Sequence, residues 1–225
     1  MSNTIIYIFR LESGTEHRFD VDLNRPVASG ALPDWTLLDT NKCENCPLAS
    51  GPGARCPAAA DLVPIVAQFS ALASIGSVDV RVVRPQFEAT KHTDTQTALS
   101  ALMGLMGLIL ATSACPILSR MRPLAHMHLP FPTENEVVFR LASAHLLGCY
   151  LGGITPDLTQ LMALFEELGK LNEAFAKRLK RAIQNDASIN ALVELHTRSM
   201  MASFSFDDQL NEIRVWFGLT PVNPS

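Results

Sequence analysis

Four cysteines carry the most legible chemistry in this chain. Cys43 and Cys46 form a Cys-x-x-Cys pair, a spacing that lets two sulfurs converge on one metal ion from a tight turn. Cys56 follows across Gly51-Pro52-Gly53, a segment able to fold the chain back. Cys115 is remote in sequence but similar in setting, since Cys46, Cys56 and Cys115 each precede a proline. At Cys56 and Cys115 that proline is expected to open a helix. A helix N-terminus offers N–H donors and a positive dipole end, which lower a thiol pKa and favour the metal-binding thiolate. Four sulfurs close a tetrahedral zinc site or hold a [4Fe–4S] cluster. The expected metal ligands are therefore Cys43, Cys46, Cys56 and Cys115, with sulfurs about 4 Å or less apart around bonds of ~2.3 Å. Zinc is favoured because the fit is to a closed structural site. The scattered single cysteines and Cys-Pro steps keep the iron–sulfur cluster as the alternative. Unbound buried or reactive thiols are the plainer outcome. A thioredoxin-type motif would start a helix after a strand, whereas this pair falls in a loop.

His126 and His128 are the next donors. Pro123 and Pro130 bracket them, and in an extended segment both rings would point the same way. Either could replace Cys115 as fourth ligand, although ordinary polar residues near a loop are the commoner case. Cys149 lies in an apolar helical stretch with His145 one turn earlier. Unpaired cysteine is among the most buried residue types, so Cys149 is expected in the core and outside the ligand set. Lys177, Arg178, Lys180 and Arg181 face away from a Leu/Phe stripe and predict a solvated surface, as do Glu166 and Glu167. The chain has no Walker loop, dinucleotide fingerprint, Gly-x-Ser-x-Gly elbow or His-Glu-x-x-His motif, so no catalytic constellation is recognised.

The elements that must position these residues follow from hydrophobic period and turn chemistry. Thr4 to Leu11 and His17 to Leu23, around Glu12-Ser13-Gly14-Thr15, predict a β-hairpin. Val78 to Val83 and Phe87 to His92 predict a second, and together the strands suit a four-stranded antiparallel sheet. The first two cysteines sit between, in a Pro/Gly/Asn-rich stretch expected to be loop. Pro57 to Leu72 is expected to be helical, with Cys56 at the N-cap and Pro57 at N1. Thr93 with Gln96 and Thr133 with Glu136 are capping-box patterns. They predict helices from Asp94 to about Thr112 and from Glu134 to about Leu151, with a short helix over Pro116 to Ala125. Thr155-Pro156 is expected to start a long helix with a stripe of Leu158, Leu161, Phe165, Leu168, Leu171, Phe175 and Leu179. Asp186 and Asp207 are expected to cap two last helices, with Leu210, Ile213 and Phe217 of the second facing inward.

Strands followed by helices favour an α+β class. The expectation is a single α+β domain over 1–225: a β-containing, Cys-rich part over 1–93 holds a small antiparallel sheet, packed with a mainly helical bundle over 94–225. The 225 residues are 48% hydrophobic and 18% charged, which excludes a disordered chain. The net charge of -4 gives no basic excess for nucleic acid. Ala98 to Ala111 is the longest apolar run and falls short of the about 20 residues of a membrane span. It predicts a buried core helix, and its apolar residues on every side suggest a homodimer through 94–112. The start lacks a basic segment and a long apolar one, so a cytoplasmic location is expected.

The segments Leu32-Pro33-Asp34-Trp35-Thr36, Cys43-x-x-Cys46-Pro47-Leu48, Cys56-Pro57-Ala58-Ala59, Thr112-Ser113-Ala114-Cys115-Pro116, His128-Leu129-Pro130-Phe131 and Asp186-Ala187-Ser188-Ile189-Asn190-Ala191 together resemble an uncharacterised bacterial family, a domain of unknown function. The resemblance spans most of the chain. It implies that these segments belong to one domain and supplies no activity, substrate or cofactor. The functional expectation is a non-enzymatic metal-binding protein whose four-cysteine site ties the β-containing part to the helices. The alternatives are a redox or sensor protein using the same thiols, and an enzyme using His126 or His128 beside an open metal position.

Overall fold

The β-branched run at the N-terminus forms the centre of a sheet. In the computed structural model, which describes residues 4–24, 30–69, 75–110, 115–181 and 206–221, β1 (Thr4–Leu11) pairs with β2 (Glu16–Asp22). Their turn needs Gly14, whose φ of 82° lies in the left-handed region that glycine enters without penalty. The second hairpin joins β3 (Ser77–Arg84) and β4 (Phe87–Asp94). Antiparallel pairing of β1 with β3, from Ile6 opposite Val83 to Leu11 opposite Val78, fuses the hairpins into a sheet of order β2-β1-β3-β4. Alternation puts Ile5, Tyr7, Phe9, Val21, Val78, Val80 and Val82 on the buried face. The opposite face is polar and carries the Arg18–Asp20, Arg81–Glu88 and His92–Asp79 pairs.

Helices cover the buried face. Between the hairpins, α1 (Pro57–Phe69) docks through Phe69, whose ring lies 5.1 Å from that of Phe9 and 5.6 Å from that of Phe19. Such pairs add about 0.5–1.5 kcal/mol beyond area burial. Next comes α2 (Thr95–Leu110), followed after a 3-10 turn at Leu118–Met121 by the short α3 (Pro123–His126). The Thr133/Glu136 capping box opens α4 (Glu134–Leu151) as expected. The long α5 (Leu158–Leu179) buries Leu161, Phe165, Leu168, Leu171, Phe175 and Leu179 along its stripe. Finally, α6 (Phe206–Trp216) packs on α4, with the Phe139 and Trp216 rings 5.7 Å apart. One continuous apolar core joins the sheet to α1, α2, α4, α5 and α6. The architecture is α+β. No helix among the described residues is long and apolar enough to cross a membrane.

Several expectations shift. Asp94, not Thr93, caps α2, because Thr93 is held in the ladder opposite Val78 while the Asp94 carboxylate accepts from Thr97 N–H at 2.8 Å. Asp157 caps α5 in place of Thr155, accepting from Thr159 N–H. Asp207 lies inside the first turn of α6, and Phe217 falls past its end and is 65% exposed. In α2, Ala98, Leu99, Leu102, Met103, Leu105 and Met106 are buried by the chain's own elements. The side chains of 107–110 lie outside the described residues, as does the segment around Asp186.

Candidate functional site

The loop before α1 is built by its own backbone. A 3-10 turn at Asp34–Thr36 is followed by a bridge between Leu37 and Arg55. Leu38 N–H donates to Ala54 O, and Cys56 N–H to Thr36 O, both at 2.8 Å. Arg55 Nη1 donates to Pro33 O and Thr36 Oγ1, and Lys42 Nζ to Leu48 O. Within the Cys-x-x-Cys pair, Cys46 N–H donates to Cys43 O at 3.0 Å, the tight turn that the spacing implies.

Cys56 sits at the start of α1, where its carbonyl accepts from Ala60 N–H. Burial pushes the Cys56 thiol up, while N–H groups of Ala59 and Ala58 and the Arg178 charge pull it down. Cys115 has the same design on a smaller scale, because it precedes a turn and 3-10 helix rather than an α-helix. Burial raises its thiol, and N–H groups of Leu118 and Ile117 oppose that rise. The Cys43 thiol is pushed up to about 12, first by burial and then by Cys56, Cys46 and Cys115, with Arg178 opposing. Those interactions fall off with distance, so the four cysteines share one neighbourhood. At the same time, no group of three or more His, Cys, Asp or Glu among the described residues stands at metal-holding spacing. The fold gathers the four thiols without closing them into a ligand cage.

The residue that sequence reasoning missed is Arg178, read there as surface. It is 1% exposed. From the last turn of α5, Nη1 donates to the carbonyls of Trp35 and Leu37, and Nη2 to those of Leu38 and Asn41. One guanidinium thereby satisfies four loop carbonyls, and its positive charge acts on Cys56, Cys43 and Cys46. Its Nε is buried without a hydrogen-bond partner among the described residues. A signal existed: Arg178 lies seven residues after Leu171 and three after Phe175, on the buried stripe. The basic neighbours concealed it, and Lys177, Lys180 and Arg181 are indeed exposed. Two further ties hold the loop to α5, Asn45 Nδ2 to Glu167 O at 3.3 Å and Lys170 to Glu44 at 3.8 Å.

His126 and His128 do not lie in an extended segment. His126 ends α3 and is exposed, whereas His128 is 6% exposed and hydrogen-bonds through Nε2 to Tyr7 Oη. The α3 turn leaves His126 exposed and His128 buried against Tyr7, and neither is among the main groups acting on the Cys43, Cys56 and Cys115 thiols. Burial, helped by Arg140 and Arg84, holds His128 down at about 3. Cys149 is buried on α4, 3.7 Å from His145 Nε2.

The family model described as a domain of unknown function, DUF6901, matches residues 5–218. The chain belongs to the DUF6901 family. The match takes in the sheet, the cysteine loop and α1 through α6, so all four gathered cysteines and Arg178 lie within DUF6901. No curated protein and no solved structure matches this DUF6901 chain.

Proposed function

We propose that this DUF6901 protein is a non-enzymatic metal-binding protein, with Cys43, Cys46, Cys56 and Cys115 as ligands of a structural site. The observation that supports the reading is the action of Cys56, Cys46 and Cys115 on the Cys43 thiol, which brings together a loop, a helix start and the turn after α2. Burial drives the Cys43, Cys56 and Cys115 thiols toward the protonated form, which makes them poor nucleophiles and speaks against bare redox chemistry. A metal ion would displace those protons. It would require the 43–46 turn to draw in toward Cys56 and Cys115. The charge of four thiolates around zinc would then be offset by Arg178 and by the N–H groups at Cys56 and Cys115. Zinc is favoured because four sulfur donors suit a closed structural site. The second reading, a [4Fe–4S] redox or sensor protein, rests on the same donors. A reducing, cytoplasmic location accords with thiols kept for a metal rather than for disulfides.

Metal analysis and a visible spectrum of protein purified without air decide between these readings. One zinc per chain and no visible absorption are expected. Iron with sulfide and a brown colour would replace zinc by the cluster, and a protein free of both would overturn the proposal.

A further inference from the structure

A second concave region lies where α2, α4 and α5 meet the segment at 128–132. It is a cavity of about 180 Å³. Leu124, Phe131, Val137, Phe165 and Leu168 make its walls mostly apolar, with Thr97 and Ser100 among them, and His128 and Arg140 supply its ionisable side chains. For scale, an engineered apolar cavity of about 150 Å³ takes up benzene. Binding sites for small molecules are mostly apolar, with a few placed polar groups that orient the ligand.

Those two groups have unspent donors. Arg140 Nη2 donates to the carbonyls of Leu124 and Met127, while its Nη1 and Nε have no hydrogen-bond partner among the described residues. The nearest acidic influence on Arg140 is Glu136, but that carboxylate is held by Thr133 N–H and Oγ1. Arg84 braces the same segment from the sheet, donating to His128 O at 3.1 Å and to His126 O at 2.6 Å. Two guanidiniums therefore stand near one buried imidazole, with no carboxylate in an ion pair with either among the described residues. When Tyr7 Oη donates to His128 Nε2, the ring proton sits on Nδ1, which has no partner among the described residues.

We propose that this cavity binds a small monocarboxylate with an apolar body about the size of one aromatic ring. Its anionic end is held by Arg140 and by His128 Nδ1–H. An anion is the ligand that the Arg140 guanidinium, without a carboxylate partner among the described residues, and an N–H donor recognise, and the apolar walls take the rest. This site is separate from the thiols and stands whether or not they hold metal.

The test uses the full chain with benzoate, phenylacetate and 4-methylpentanoate, set against the neutral benzyl alcohol. Binding is followed by melting temperature and by the methyl signal of Met121, which lines the cavity. At least one carboxylate is expected to bind saturably and at least tenfold more tightly than the alcohol. R140M is expected to erase that preference, and A101L to fill the cavity and abolish binding of acid and alcohol together. Failure of all three acids to bind, equal affinity for acid and alcohol, or unchanged acid binding in folded R140M overturns the proposal. If R140M does not fold, A101L decides alone, and undiminished acid binding there overturns it.

Discussion

A buried guanidinium surrounded by four carbonyls is hard to replace. In Arg178→Met the stem would still pack on the core, but the carbonyls of Trp35, Leu38 and Asn41 would lose the donor that Arg178 gives them, and that of Leu37 would keep Thr40 N–H alone. Buried acceptors left unpaired cost about 1–3 kcal/mol each when water cannot reach them, and part of this loop can rehydrate. Urea unfolding of Arg178→Met should therefore show a loss of about 2–4 kcal/mol. A loss within ~0.5 kcal/mol, the range of ordinary surface changes, would mean the loop holds itself. The cysteines allow a paired comparison. Cys115→Ser should release the metal and lower the melting temperature together. Cys149→Ser should keep full metal content and weaken the fold modestly, because that thiol is buried on α4 with His145 Nε2 at 3.7 Å. Metal loss in the second variant and not the first would place the wrong sulfur in the site. The cysteine types and their Cys-Pro steps were legible from sequence. Arg178 was not, since a basic residue among basic neighbours looks solvated until the helical period is followed one residue further. The histidines were misjudged for a local reason, in that Pro123 starts a helical turn instead of extending the chain.

Strand and helix boundaries were legible because period and punctuation agreed. The alternation of β1, the Gly14 turn and the Thr133/Glu136 box each point one way. Errors gathered where two elements compete for a residue. Thr93 could cap a helix or extend a strand, and pairing with Val78 prevails because a ladder position satisfies its backbone as well. The cysteine loop lies between such elements, and its behaviour should depend on pH. In metal-free protein the Cys43 thiol is raised from 9.0 to about 12. Between those values the folded chain holds a proton that the unfolded chain has lost, so stability falls as pH rises. Metal-free protein should lose stability from about pH 9 upward, read as a falling melting temperature. With the thiolates already ligated, that alkaline decline should largely disappear. Equal alkaline slopes with and without metal would separate Cys43 from the site.

For the molecule as a whole, the four cysteines proposed as ligands belong to stretches that meet only after folding. Cys43 and Cys46 lie in a loop pinned to α5, Cys56 starts α1 beneath the sheet, and Cys115 follows α2. Binding energy at such a site is folding energy. A strong chelator should therefore lower the melting temperature of metal-loaded protein. It should also speed hydrogen exchange in the 34–56 loop and the end of α5 before it affects β1 and β3. Uniform acceleration across the sheet would show that the metal holds the whole fold rather than this junction. The α+β architecture was legible because patterning runs the length of the chain. The gathering of the thiols could only be inferred from their types, because sequence spacing does not say which turns meet.

The ties from Arg178 to the cysteine loop also set a clock. Its carbonyl partners lie 137 to 143 residues earlier in the chain, so the loop leaves the ribosome long before the group that fastens it. At about 5–20 residues per second, several seconds pass during which β1 to β4 can pair while Cys43 and Cys46 remain reachable. Under the proposed metal-binding function, that interval is when an ion would enter. In nascent chains arrested near residue 150, Cys43 and Cys46 should react rapidly with a thiol-labelling reagent. Chains long enough to expose Arg178 outside the ribosome should protect them. Protection already complete in the shorter chains would mean the loop closes without α5, and that the late arginine only seals what is already shut.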